Sequence, residues 1–136
     1  MTRPRRLAIV LSAVLLGCGR AGPAAFTSAN PFATASPLFD QAPPFDKIRN
    51  ADFQPALEEG MRRQLAEVAT IAADTAAPTF DNTIIALERS GTLLQRVSNV
   101  FNALTSANTN DTLQQVQEAE APRLAAHRDA IFLNDT

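Results

Sequence analysis

The chain has 136 residues, room for one modest domain, with 46% hydrophobic and 19% charged residues. Ala and Leu are plentiful and there are eight Phe but no Trp or Tyr, a helical globular composition that excludes disorder throughout. The formal charge is −2, and no basic residues cluster tightly enough to neutralise phosphates, which excludes nucleic acid as a partner.

Met1 to Arg6 is a basic segment, and Leu7 to Leu16 is an apolar run of signal-peptide length that is too short to span a bilayer as a helix. Leu15-Leu16-Gly17-Cys18 resembles the bacterial lipobox, although Leu16 stands where a small residue is usual. The reading is an export signal over 1–17, with Cys18 carrying the lipid as the first residue of the mature protein. By resemblance to lipoprotein sorting rules, Gly19 after the cysteine favours the outer membrane. Removal of Arg3, Arg5 and Arg6 leaves nine basic against fourteen acidic residues, a mature charge of −5. Cys18 is the one cysteine, so there is no internal disulfide and no thiolate metal cluster.

Residues 18–50 are expected to form an extended, Pro-rich arm, because Pro23, Pro31, Pro37, Pro43 and Pro44 each remove an amide donor. A solvated linker has little use for Phe26, Phe32, Phe39 and Phe45, so part of the arm is expected to lie against the folded body.

Residues 51–136 read as about three antiparallel helices. Asp52 is the expected N-cap of the first, since that places Pro55 at the third helical position, where its missing amide costs nothing. Leu57, Met61, Leu65, Val68 and Ala72 then share one face, which predicts a core stripe ending near Ala73. Glu58 with Arg62 and Glu59 with Arg63 are spaced for exposed pairs. Asp74 to Pro78 is a break, and Thr79 is the expected N-cap of a second helix with Ile84, Leu87, Leu94, Val97, Phe101 and Leu104 in phase. A glycine there implies either an interruption at Ser90-Gly91 or a close backbone approach, and because the phase survives Gly91 the close approach is the preferred reading. Asn110 or Asp111 caps a third helix carrying Leu113, Val116, Leu124, Ile131 and Phe132, with a bend or split expected at Pro122. The chain stops just after the apolar Ile131-Phe132-Leu133, which reads as a helical region cut short.

Chemistry is scarce. A zinc site needs three or four converging His, Cys or carboxylate ligands, and one His with one Cys does not supply them, so no metal ligand and no catalytic residue is assigned. His127 reads as a packing or surface histidine, and Glu118 and Glu120, two apart, point to different helix faces. No spacing singles out a Ser-His-Asp arrangement, and there is no Gly-rich phosphate loop.

A resemblance carries the functional reading further. Asn30-Pro31-Phe32, QAPPFDKIRNADFQPALEEGM at 41–61, PTFDNTIIALERSG at 78–91, ANTND at 107–111 and EAPRLAAHRDAI at 120–131 follow in order. Together they resemble the N-terminal region of the thimet oligopeptidase-like zinc metallopeptidases, on the bacterial peptidyl-dipeptidase (Dcp) branch. The resemblance implies a much longer, almost wholly helical enzyme that hydrolyses short peptides in a channel between two helical halves. It also implies a catalytic zinc held by a His-Glu-x-x-His helix and a downstream Glu. None of those residues is in this chain, so it is expected to be inactive alone, its helices forming part of the channel wall. The partners implied are the C-terminal catalytic portion, short peptides, and a membrane reached through the lipid on Cys18, placing the protein in the periplasm or at the outer membrane. The competing expectation is a small envelope lipoprotein whose helices act as an interaction module.

Overall fold

The computed structural model describes residues 25–133; the predicted signal peptide and Cys18 lie outside them. The described residues form helices and turns without strands: α1 (Phe53–Ala72), a π-type turn (Phe80–Ile85) leading into α2 (Ala86–Arg89), α3 (Thr92–Ala107) and α4 (Asp111–Phe132).

Local chemistry starts each element. A short 3-10 turn, Asn50–Asp52, runs straight into α1, with Pro55 at its third position as expected. Asp52 does not cap α1 in the ordinary way: it is itself helical, and its carboxylate reaches back to accept the Arg49 amide at 2.8 Å. Thr79 Oγ1 accepts the Asn82 amide at 3.1 Å while the Asn82 side chain accepts the Thr79 amide at 2.7 Å, a reciprocal cap. Asn110 caps α4, its Oδ1 accepting the Leu113 amide at 3.1 Å. α4 passes through Pro122 as one helix, so of the expected bend or split the split does not occur. Glu118, whose carbonyl loses its helical partner, and Pro122 both lie on the exposed face, where water can solvate that carbonyl.

The second helix is broken at Ser90-Gly91, the alternative to the preferred continuous helix. Ser90 is extended and Gly91 has φ +70°, a left-handed value that glycine adopts at little cost. The Glu67 carboxylate on α1 accepts the Gly91 amide at 2.7 Å, satisfying a donor freed by the break. What approaches Gly91 closely is a side chain and not the expected backbone: a Cβ there would lie 2.5 Å from the Gln64 side chain. A close backbone approach, not foreseen, is at Gly60, where a Cβ would meet Leu94 Cα at 2.8 Å.

α1 sits between α3 and α4. Along α1, Phe53 meets Phe101 and Gly60 meets Leu94, so α3 runs antiparallel to it. Gln54 meets Glu120 and Gln64 meets His127, so α4 runs parallel to α1, an up-down-up order. The core gathers Phe53, Ala56 and Leu57 of α1, Leu93, Val97, Val100 and Phe101 of α3, and Leu113 and Val116 of α4.

Residues of the predicted arm close this core from one side. Phe32 is buried and packs on Phe53 at 5.3 Å between ring centroids, and Phe53 in turn packs on Phe101 at 5.2 Å. Arg96 donates to the Phe32 carbonyl at 2.9 Å, and Asn30 Nδ2 to the Asp52 carbonyl at 3.0 Å. Phe26 is half-buried beneath Arg63. Phe39 and Phe45 stay exposed, so only half of the aromatic series meets the body.

Candidate functional site: a polar seam and an apolar end

Two features stand out once the helices are assembled: polar side chains inside the α1–α4 contact, and apolar side chains left bare at one end of the bundle.

The seam comes from α4. Leu113, Val116, Glu120, Leu124, His127 and Ile131 follow at spacings of three, four, four, three and four, so Glu120 and His127 share the inward stripe with the apolar residues. Glu120 is fully buried, and its Oε1 accepts from Gln54 Nε2 at 3.1 Å and Arg123 Nη1 at 3.2 Å. Arg123 also pairs with Glu58, which takes Glu58 away from its expected partner Arg62. Arg62 and Arg63 instead share Glu59, at 2.7 and 2.8 Å. Two turns beyond Glu120, His127 Nε2 lies 2.8 Å from Gln64 Oε1. Gln64 Nε2 donates to Ser90 Oγ at 3.4 Å, so its oxygen faces the imidazole and the ring nitrogen Nε2 is the donor. Glu120 Oε2 and His127 Nδ1 are buried without a protein partner.

These surroundings act on charge. Burial pushes Glu120 above the ordinary carboxylate value; Arg123 opposes that, Glu58 adds to it, and the Gln54 hydrogen bond opposes it. Burial lowers the His127 pKa, favouring the neutral ring. Outside the seam, Glu59 is held down at about 2, first by its hydrogen bond from Arg62. His127 is thus a packing histidine, as read from the sequence, and both seam residues are walled in by α1. A neighbouring groove of about 380 Å³ reaches Gln64 but stops short of Glu120 and His127. A general base must reach a proton on a bound substrate, and neither group does.

The zinc implied by the resemblance finds no donor set here: among the described residues no three His, Cys, Asp or Glu side chains converge to hold a metal. No catalytic step is therefore derived through it.

The apolar end is where α1 finishes, α3 begins and α4 finishes. Leu65, expected in the core, is exposed; so are Ile84 and Phe132, the last 69% accessible. Phe80 at 68% and Leu133 at 74% lie at the same end. The stripe of α1 thus continues past the point where other residues cover it. Leu87, Leu94, Ile131 and Phe132 line the groove of about 380 Å³ there, with Gln64, Ser90 and Gly91 at its polar side. Among the described residues no helix is long and apolar enough to cross a membrane.

No family profile matches the chain. It is 48% identical over 107 residues to the dipeptidyl carboxypeptidase of Salmonella typhimurium (strain LT2), a match covering 79% of this chain and 16% of that protein. The dipeptidyl carboxypeptidase of Escherichia coli (strain K12) is 48% identical over 108 residues, again 79% of this chain and 16% of the relative. The likeness is to bacterial dipeptidyl carboxypeptidases. This agrees with the peptidyl-dipeptidase resemblance read from the motifs, and the chain spans about one-sixth of the length of the relatives it matches. A match of 107 residues in a chain of 136 necessarily includes residues 30–107, so Gly60, Leu65, Phe80, Ile84 and Gly91 all lie within the shared region.

Proposed function

We propose that this chain is a structural segment of an exported zinc peptidyl-dipeptidase, its helices forming part of the wall of a channel that takes short peptides. The catalytic zinc and its ligands would lie in the C-terminal portion. The observation that carries the reading is the 48% identity over 79% of the chain to dipeptidyl carboxypeptidases about six times as long as the matched stretch. The polar seam is compatible with it, since Glu120 and His127 are buried in the α1–α4 contact and bond to Gln54 and Gln64. In the same reading the segment 1–17 directs export, and lipid on Cys18 holds the protein at the periplasmic face of the outer membrane; the mass of protein extracted from membranes tests this directly.

A chimera tests the enzymatic part. This chain, from residue 25 on, replaces the matching segment of the Escherichia coli dipeptidyl carboxypeptidase, and release of dipeptides from a short peptide is followed. Retained cleavage is expected, with none from the isolated chain in zinc-containing buffer. An isolated chain that cleaves, or a folded chimera that does not, would overturn the reading.

One observation favours a second reading, an envelope lipoprotein acting as a helical interaction module: the Phe32, Phe53 and Phe101 stack closes a core without outside help. Its mark would be cooperative unfolding of a monodisperse Cys18–Thr136 protein.

A further inference from the structure

We propose that the apolar end of the bundle is the seat on which the remainder of a dipeptidyl carboxypeptidase-length chain packs, an inference that rests on the segment reading above. Leu65 of α1, Phe80 and Ile84 of the π-type turn, and Phe132 of α4 present exposed apolar side chains. Scattered exposed apolar residues are ordinary, but Phe132 borders a groove that Leu87, Leu94 and Ile131 also line. The helical stripe of α1 continues through Leu65 and Val68 with a period made for burial, yet Leu65 keeps 39% of its surface accessible. The groove is also preset: the Gly91 amide at its edge is satisfied by Glu67, and Gln64 is held by His127 and Ser90. An incoming helix can then bury apolar surface there without stranding those polar groups.

The occupant follows from length. The matched residues make up 16% of each relative, so the greater part of such a protein lies outside the matched region and must pack on some face of it. Leu65, Phe80 and Ile84 fall in the part that is necessarily shared with both relatives.

The test compares thiol labelling at position 80 in the isolated chain carrying Phe80→Cys and in the chimera carrying the same substitution, read by peptide mass spectrometry. Phe80 is exposed in the bundle, so the isolated chain should label freely. In the chimera labelling should slow by about tenfold or more, because reaction then requires local opening. As a second measurement, Ile84→Asp should leave the melting midpoint of the isolated chain unchanged and lower that of the chimera. A chimera that cleaves peptides yet labels as fast as the isolated chain would overturn this inference and leave the segment reading intact. A folded but inactive chimera with position 80 protected would do the reverse. Protection in the isolated chain that vanishes on dilution would assign the face to a second copy and also overturn it.

Discussion

Gly60→Ala is the sharpest probe of how α1 and α3 meet. In an uncrowded helix the change should stabilise by about 1 kcal/mol, because glycine loses more backbone entropy on folding. Here the new Cβ would sit 2.8 Å from Leu94 Cα and 3.0 Å from both its Cβ and its amide nitrogen. Two of those three atoms are backbone, so no rotamer change in Leu94 relieves the contact, and α3 itself must retreat by several tenths of an ångström. That retreat loosens Leu57, Leu93 and Val97, which are buried around the crossing. Overpacking of this kind costs about 1–3 kcal/mol, and it takes values near the top of that range where backbone has to move. Set against the propensity gain, the net loss should be about 1–2 kcal/mol, or roughly 5–10 °C in melting midpoint for a domain of this size. Thermal and urea unfolding followed by circular dichroism would measure it, with Ala66→Gly on the exposed side of α1 calibrating the propensity term. A Gly60→Ala protein that melts at or above the wild type would refute the crossing geometry.

Phe53→Ala should cost about 3–5 kcal/mol, enough to unfold a marginal domain, because Phe53 lies between Phe32 and Phe101; loss of helical signal at 25 °C checks it. Gly91→Ala should cost about 1–2 kcal/mol, combining the left-handed φ with displacement of Gln64, whose hydrogen bond to His127 is then lost. The buried carboxyl Glu120 holds more protons folded than unfolded, so its contribution is full below about 4.5 and declines as pH rises through its raised folded pKa. Glu120→Gln, which stays neutral, should therefore gain in melting midpoint relative to wild type as pH is raised from 4.5 to 7.5; a constant difference would show the carboxyl to be unperturbed. His127 acts in the opposite direction: its contribution is full above about 6.5 and is lost as pH falls through the lowered folded value, so His127→Gln should flatten the acid side of the curve.

Legibility in the sequence followed the range of the interaction. The caps at Thr79 and Asn110 and the place of Pro55 were readable because each depends on a few neighbouring residues. Gly91 marked an interruption at Ser90-Gly91 as one alternative but local sequence could not choose it, because helical phase on the two sides happens to continue while the decisive partner, the Glu67 carboxylate, comes from another helix. Leu65 and Phe132 were assigned to the core since periodicity reports which face is apolar and cannot report whether anything covers it. Glu120 was missed for the converse reason, and His127 was read as packing or surface without its partner. Each interrupts an apolar stripe, although the spacing from Leu113 to Ile131 keeps them in line with it. The matching polar series on α1, Gln54, Glu58 and Gln64, was the available signal that two polar lines meet face to face.

That meeting suggests what the seam contributes. Gln54 with Glu120 and Gln64 with His127 join two parallel helices at separate levels, with the exposed Glu58–Arg123 pair between them, and a slide of one turn would strand the buried Glu120 and His127. Buried polar pairs add little net stability, because desolvation offsets most of their attraction, but misregistering them leaves polar groups buried and unpaired. The seam should therefore set register more than it sets stability. Replacing Glu120 and His127 together by leucine removes the two buried atoms that have no partner, while Gln54 and Gln64 are only half-buried and can turn to water. The double variant should match or exceed the wild type in urea midpoint at pH 7.5, yet show more than one amide resonance for residues of α4 in a nitrogen-15 correlation spectrum. A single sharp set of resonances together with a loss of several kcal/mol would show that the seam acts through stability, and the register argument would fail.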